Sequence, residues 1–437
     1  MKKLALLFFG LSIISLSAQR KWTLQECVQY AVQNNLQVKA NEYNATIQSK
    51  SLDIAKREKL PSVSASWNHN ANFGQQILGN AIQRNDTYNN SLNVGANVLL
   101  YNNGRLEKSI RKTEFDLQAS QYDTETIKNN ISLQIVQEYL SVLLNKEIVK
   151  INQSALENAK KQFQRAEITT KVGTTPQTTL AEAKAALARE KQNLKSAEVN
   201  VQRSLFNMAQ LLLLPDYKAF DIEDLYTSEE VTQSAFLVDE VLEKAYQNQP
   251  QIKAAESRIN SAAAQTEISK TAFYPTISAT AGVGTVYLNN LNHGGDISLA
   301  KQYKDNFGQQ VGVSANVPIF NKGITKLQVE QSQLNEQIAK NTLLQQQQEV
   351  KQNVQKAQFD SESNFEIYQA AIEAEKSSQL ALDFAEKSYT AGRSSIYDLN
   401  VARNNYANAQ GNSAQSKYNY LFSLKLLQFY SGIPLTL

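Results

Sequence analysis

Hydrophobic and polar positions alternate strictly in four segments of the chain, each of about 10–13 residues. The more apolar set comprises Val63, Ala65, Trp67, His69, Ala71 and Phe73; Leu92, Val94, Ala96, Val98 and Leu100; Ile277, Ala279, Ala281 and Val283; and Val311, Val313, Ala315, Val317 and Ile319. A period of two predicts β-strands, because successive side chains of a strand point to opposite faces. Each segment has the length that a tilted transmembrane strand needs.

Between and after these strands the pattern predicts unusually long helices. Residues 105–172 and 324–391 contain neither Gly nor Pro and are rich in good helix formers. A continuous helix of that length reaches about 100 Å. A second helix follows each, from Pro176 to about Leu214 and from after Gly392 to about Ser431. The sequence therefore predicts two long helical hairpins. Their tips are Gly173-Thr174-Thr175 and Gly392-Arg393-Ser394.

The two halves of the chain repeat each other. Residues 34–40 and 61–64 match residues 214 positions further along, and residues 97–104 match residues 219 positions further along. The later offset also relates Gly173 to Gly392 and Pro215 to Pro434. We therefore predict two copies of one helix, strand, strand, helix, helix module, at residues 19–215 and 241–437, joined by a linker at 216–240.

Composition and the first residues limit the function. Lys2 and Lys3, a short apolar run and small residues predict a secretory signal peptide at residues 1–18. Without it the chain has 42 basic and 41 acidic residues, which argues against a nucleic-acid surface. The single cysteine, Cys27, is expected to be a buried structural thiol. Hydrolytic triads, metal-ligand spacings and phosphate-binding glycine loops are absent from the sequence, so we expect no enzyme activity, metal or cofactor.

The four strands favour a membrane barrel over an ordinary sheet with one wet face, although the period alone does not exclude the latter. Their polar face is small and uncharged, as suits a water-filled lumen. Aromatic residues collect at the strand ends, as at the two bilayer interfaces of a barrel. They are Tyr101, Phe273, Tyr274 and Phe320 at one end and Phe73, Tyr88, Tyr287 and Phe307 at the other. Four strands cannot close, so several copies must combine; two copies give eight strands and three give twelve.

Four stretches of the chain are diagnostic of a known family: Leu24–Val28 through Asn35, Leu100–Gly104, Ile319–Gly323 and Tyr389–Gly392. On these stretches the chain resembles the TolC-like outer-membrane efflux family from end to end. The resemblance implies a mainly α fold with a transmembrane β-barrel part. In that family three identical chains form a twelve-stranded barrel in the outer-membrane lipid and an α-helical tunnel in the periplasm. The tunnel docks a periplasmic adaptor linked to an inner-membrane transporter, as in tripartite efflux or type I secretion. The linker would belong to an equatorial belt around the tunnel.

The resemblance also suggests site residues. Gly173, Thr174, Thr175, Gly392, Arg393 and Ser394 match the tips that dock the adaptor. Tyr389 and Asp398 match residues of the tunnel constriction. The chain departs from the family at Val401, where a second acidic residue is expected, and at Ser394, where an arginine is expected. In the first module Thr179 stands at the acidic position, and Glu182 lies three residues later. We therefore expect a gate at Tyr389, Asp398, Glu182 and Thr179 whose network differs from the family pattern.

Two other classes of function compete with this interpretation. A periplasmic or surface coiled coil would use the long helices but has no need of barrel strands. A secreted enzyme would need a convergent polar site, which the sequence does not show. The exported substrate is not predicted, because the pump and adaptor would select it.

Overall fold

The structure is a computed structural model that describes residues 21–78, 81–224, 236–292 and 297–433. The predicted signal peptide lies outside the described residues, and so does part of the predicted linker. No helix within the described ranges is long and apolar enough to cross a membrane.

Helices dominate the chain, and two strands of the main sheet precede the longest helix in each predicted module. In chain order the elements are β1 (Lys21–Trp22), α1 (Leu24–Asn34), α2 (Leu36–Arg57), β2 (Ser62–Asn72), β3 (Gln75–Leu78), β4 (Ala81–Arg84), β5 (Thr87–Tyr101), α3 (Arg105–Lys171), α4 (Gln177–Leu211), β6 (Asp221–Ile222), α5 (Val238–Asn248), α6 (Pro250–Lys270), β7 (Thr276–Asn290), α7 (Leu299–Asp305), β8 (Gly308–Asn316), α8 (Ile324–Thr390) and α9 (Ile396–Tyr430). A single turn of 3₁₀-helix, Thr271–Phe273, follows α6.

The two longest helices confirm the prediction from glycine and proline positions. Both α3 and α8 contain 67 residues. Each begins just after a glycine with positive φ, Gly104 at 71° or Gly323 at 78°. Each ends just before another, Gly173 at 79° or Gly392 at 68°. Because other residues are strained in that conformation, the glycines fix where the helices start and stop.

Four strands form one antiparallel sheet in the order β2-β5-β7-β8. Its two central strands, β5 and β7, come from different modules. The register aligns the alternating positions across the sheet: Ala65 lies opposite Val94, and Val94 lies opposite Val283. One face is therefore mainly apolar over all four strands. The sheet is open, with β2 and β8 as its edges.

The structure corrects the predicted end of the fourth strand. β8 ends at Asn316, so Val317 and Ile319 lie outside it. Pro318 explains the difference, because proline has no N–H to donate to a strand ladder. The strands β5 and β7 are longer than predicted, with 15 residues each.

Several further features of the fold are absent from the sequence interpretation, among them the parallel pairing of β1 with β6. A small hairpin, β3–β4, fills the loop after β2, and the short helix α7 fills the loop after β7. The first helix of each module is divided in two, at Asn35 and at Gln249. Both residues have extended backbone angles, with φ of −63° and −69° and ψ of 129° and 122°.

The chain divides into two compact units that each draw on both sequence modules. The first contains residues 1–41, 124–249 and 347–437, and the second contains 42–123 and 250–346. The second unit holds the sheet. The largest core of the first unit surrounds Cys27, Tyr139 and Met208, all fully buried.

Candidate functional site

The predicted hairpin tips lie in the first unit, and both close with the same hydrogen-bond motif. Thr174 N donates to Thr169 O at 2.9 Å, and Arg393 N donates to Ser388 O at 2.9 Å. In each case the N–H after the glycine donates to the carbonyl five residues earlier, and the glycine has a positive φ. This arrangement is a Schellman motif, which gives hydrogen-bond partners to carbonyls in the last turn of a helix. Gly173 and Gly392 are therefore required by backbone geometry, whatever else the tips do.

The two tips differ in their side chains. The first has a hydroxyl cluster in which Thr175 Oγ1 donates to Thr169 Oγ1 at 2.6 Å and Thr174 Oγ1 donates to Thr169 O at 2.9 Å. In the second tip Arg393 is exposed. The Ser394 hydroxyl is buried and has no hydrogen-bond partner among the described residues. Lys171, two residues before Gly173, is exposed as well, so a partner that docks on the tips would meet hydroxyl groups and a cation on the first hairpin and a cation on the second.

Asp398 is engaged with the start of its own helix. Its carboxylate accepts from Ser395 N at 3.0 Å and from Ser395 Oγ at 2.7 Å, while Asp398 N donates back to Ser395 Oγ at 3.2 Å. This reciprocal arrangement is a capping box. The hydrogen bonds from the Ser395 hydroxyl and backbone hold the pKa of the Asp398 carboxyl below its usual value. The group is exposed and remains ionised at neutral pH.

Tyr389 is fixed against the core of the second hairpin and contacts the first. It is half-buried against a cluster of Leu382, Ile396 and Leu399 from α8 and α9. The guanidinium of Arg165, on α3, lies 5.8 Å from the centroid of the tyrosine ring. Sequence reasoning missed Arg165, because its partner is more than two hundred residues away and no local motif marks the pair.

Glu182 and Thr179 both lie on α4. They do not form a cluster with Asp398. Glu182 lines a groove of about 280 Å³ between four helices, together with Arg189, Arg403 and Tyr406. Asp398 lines a different, shallower depression. Thr179 is half-buried in the first turn of α4, where its N–H donates to Pro176 O at 3.1 Å. Within one chain, the four predicted gate residues therefore do not converge on one pocket.

In the first unit, the start of the predicted linker is bound to α3 by a hydrogen bond and ion pairs. β6 pairs in parallel with β1 near the N-terminus. Lys146 donates to Ile222 O at 2.8 Å and lies 2.7 Å from Asp221 and 3.0 Å from Asp224. Burial opposes ionisation of Asp224, but the hydrogen bonds from Lys146 and Lys21 outweigh it and leave the pKa of this carboxyl below its usual value.

Comparison with known proteins decides the family. The sequence profile described as "Outer membrane efflux protein" matches residues 27–212 and 241–432. The chain belongs to this family. It is accordingly an outer-membrane protein.

The relatives cover nearly the whole chain at low identity. The outer membrane protein TolC of Escherichia coli is 24% identical over 433 residues, spanning 97% of this chain and 85% of TolC. The outer membrane efflux protein BepC of Brucella suis is 21% identical, spanning 91% of this chain and 82% of BepC.

Among solved structures, the CmeC outer membrane channel of Campylobacter jejuni has a TM-score of 0.73 at 20% identity and covers 94% of this chain. It is matched over 85% of its own length. A membrane protein of Pseudomonas aeruginosa has a TM-score of 0.77 at 16% identity, with 93% and 89% of the two chains covered. TolC, BepC and CmeC are named as an outer membrane protein, an outer membrane efflux protein and an outer membrane channel, and none of these three names is that of an enzyme.

Proposed function

We propose that this protein is the passive outer-membrane exit duct of a tripartite efflux or type I secretion system. Three copies would form a twelve-stranded barrel that continues into a periplasmic helical tunnel. The observation that carries the proposal is the open four-stranded sheet, whose apolar positions share one face. In lipid, an open sheet edge leaves backbone groups without partners at several kcal/mol each. Closure by further copies removes that cost.

The helices next to the sheet edges support closure by self-association. α2 leads into the edge strand β2, and the edge strand β8 leads into α8. In the second unit both helices carry large apolar side chains that are more than half exposed, at spacings of four and seven residues. These are Tyr43, Ile47 and Ile54 on α2, and Leu327, Leu334 and Ile338 on α8. We call these two surfaces the α2 seam and the α8 seam.

Because the two seams continue the two different sheet edges, the association is head-to-tail. The α2 seam and β2 of one copy face the α8 seam and β8 of the next. A head-to-tail interface produces a closed ring when its rotation closes. A trimer is the closure expected of a TolC-like chain.

The tips would then dock the periplasmic adaptor. In a ring of three chains, each copy contributes one tip that presents Thr174 and Thr175 and one that presents Arg393. Asp398, Tyr389, Glu182 and Thr179 would line the constriction inside those tips. The exposed and ionised carboxylate of Asp398 supports a cation-attracting ring at that point, since acidic rings enrich cations in narrow pores.

Reconstitution in planar bilayers tests the proposed function. Purified protein should insert without any energy source and conduct in discrete steps. It should show little current at rest, a preference for cations, and block by multivalent cations from the side on which the tips lie. A protein that binds lipid vesicles but never conducts, at any applied voltage, would count against a duct and favour a structural coiled coil.

A further inference from the structure

At the end of the sheet opposite to the starts of α3 and α8, the short helix α7 packs on the apolar face. β5 begins at this end and leads away to α3, and β8 begins here after α7 and leads away to α8. Thr285, which lies opposite Leu92 on the apolar face, donates from its Oγ1 to Tyr303 O of α7 at 2.7 Å. The Tyr303 hydroxyl donates to Asn90 Oδ1 on β5 at 2.7 Å, and Asn90 is 4% exposed. We call this end of the sheet, together with α7, the outer end.

Two amide side chains also hold α7 against β7. Gln302 donates from Nε2 to Leu288 O at 3.0 Å, and its Oε1 accepts from Leu288 N at 3.0 Å. Asn306, just after the helix, donates from Nδ2 to Val286 O at 2.7 Å. The pairing of β7 with β8 ends before these β7 residues, so the amides supply hydrogen-bond partners where the neighbouring strand does not reach. The side of α7 that carries Gln302, Tyr303 and Asn306 therefore faces the sheet.

The two lysines of α7 lie on its other side. At 3.6 residues per turn, Lys301 and Lys304 are neighbours on a helix surface roughly opposite to the three sheet contacts. Both are exposed, and neither forms an ion pair with a residue that the structure describes. Asp305 is the one acidic residue of α7. The helix thus carries a cationic surface that points away from the apolar face of the sheet.

An exposed aromatic ring lies beside this helix. Trp67 Nε1 donates to Asn90 Oδ1 at 2.7 Å, the same oxygen that accepts from Tyr303, so Asn90 joins Trp67 to α7. The Trp67 ring packs on His69, with 4.6 Å between the ring centroids, and the residue is 66% exposed. Amphipathic aromatic rings and lysines with apolar stems are the side chains that suit the boundary between acyl chains and headgroups.

We propose that Lys301, Lys304 and Trp67 bind a lipid with an anionic phosphate headgroup in the outer leaflet of the outer membrane. This inference rests on the proposed function, in which the apolar face contacts lipid and the long helices lie in the periplasm. The outer end then lies at the extracellular interface. Lysine binds phosphate as a point charge, and basic clusters at a membrane surface recognise anionic headgroups. The site is centred on Asn90 of the central strand β5, whereas the proposed contact between copies runs along the edges β2 and β8.

Tryptophan fluorescence tests whether the outer end contacts lipid. The chain has two tryptophans. Trp22→Phe keeps a ring against Tyr30 and Phe220 and leaves Trp67 as the single reporter. In vesicles of phosphatidylcholine with bromine atoms near the start of each acyl chain, this variant should lose most of its fluorescence, because bromine quenches a ring that it contacts. If the bromine does not quench Trp67, the apolar face is not in lipid, and the proposed function fails together with this inference.

Headgroup preference tests the binding site separately from the barrel. In the same Trp22→Phe background, brominated phosphatidic acid, a phosphate monoester, is mixed with unbrominated phosphatidylcholine. Quenching should show a preference for phosphatidic acid of about fivefold for each lysine. Lys301→Gln combined with Lys304→Gln should abolish that preference while Trp67 remains quenched in fully brominated vesicles.

A matched control removes the same charge from the opposite end of the sheet. Lys322 and Lys326 are exposed beside the start of α8, and Lys322→Gln combined with Lys326→Gln should leave the preference within twofold of the parent. If the parent and the Lys301, Lys304 variant show the same preference, the site is overturned while the barrel stands. If the control loses as much preference as that variant, the attraction belongs to the charge of the whole protein, which also overturns the site.

Discussion

At the residue scale, charge alone is a poor guide to what a side chain does. Asp398 stands out in the sequence as an acid near a predicted constriction, yet its carboxylate closes a capping box with Ser395. The Ser-x-x-Asp spacing is readable from the sequence, because a residue at that distance from an N-cap returns to the cap N–H. The contact of Arg165 with Tyr389 is not readable, since it depends on how two hairpins pack.

The Asp398 carboxylate has two roles that can be separated by paired variants. Asp398→Asn removes the charge but retains an oxygen for the cap, so cation preference and trivalent-cation block should weaken in planar bilayers while thermal stability changes little. Ser395→Ala keeps the charge and removes the cap, which should cost about 0.5–2 kcal/mol of stability and leave selectivity unchanged. The same selectivity in wild type and Asp398→Asn would show that Asp398 does not line the pore.

The pH dependence of the cap follows from the direction of the shift. The pKa of Asp398 is lower in the folded chain than in an unfolded one, so its stabilising effect is present above the unfolded pKa and is lost as pH falls through the folded pKa. Between pH 5 and 8, block by trivalent cations should therefore be constant in wild type. A loss of block near pH 6, measured in the same bilayers, would point to another group.

Cys27 gives a probe of the core of the first unit. It is fully buried, and burial, with a smaller effect of Glu26, raises the pKa of its thiol to about 12. Thiolate is the reactive form, so iodoacetamide at pH 8 should label the native protein negligibly and the denatured protein fully. Mass spectrometry measures both. Rapid labelling of native protein would show that α1 is not packed as described.

At the scale of elements, the sequence predicted what is local and missed what depends on loops. The ends of α3 and α8 fall within one residue of prediction, because a glycine lies at both ends of each helix. The end of β8 was wrong, because the alternating pattern continues past Pro318 while the hydrogen bonding does not. The β3–β4 hairpin and α7 were missed, since short elements in a loop of mixed polarity show no sustained period.

Adjacent positions on β8 test the two faces of the sheet. Val313 lies opposite Ala279 on the apolar face, and Ser314 lies opposite Ser278 on the polar face. If the apolar face contacts lipid, Val313→Arg should cost about 2–4 kcal/mol near the bilayer midplane and reduce assembly. Ser314→Arg, on the same strand and with the same added charge, should assemble and shift ion selectivity. Heat-resistant oligomer on gels and bilayer selectivity are the measurements. Equal tolerance of both variants would argue against strands in a membrane.

At the scale of the whole molecule, the single chain leaves both the edges of its sheet and the helix surfaces next to those edges exposed. Among the described residues, the edge strands β2 and β8 pair with a neighbour on one side only, and the helices attached to them expose apolar seams. A soluble single chain would rarely expose such a surface. Backbone hydrogen bonding and side-chain burial therefore both favour association across the same two edges, so that one interface would account for both the proposed barrel and the proposed tunnel.

The final prediction tests that interface with charge placed on the α8 seam. Leu334→Asp combined with Ile338→Asp should dissociate the assembly, because each buried carboxylate would face the apolar α2 seam of the next copy. Gln333→Asp combined with Gln337→Asp adds the same charge at the same spacing on exposed positions one residue earlier and should leave the assembly intact.

Light scattering in mild detergent should give three times the mass of one mature chain for wild type and the control. The seam variant should give a single chain with its helical circular dichroism largely retained. If the seam variant still forms a trimer, the contact between copies lies elsewhere. If the wild-type protein is a monomer, there is no reason to treat the open sheet as one third of a barrel.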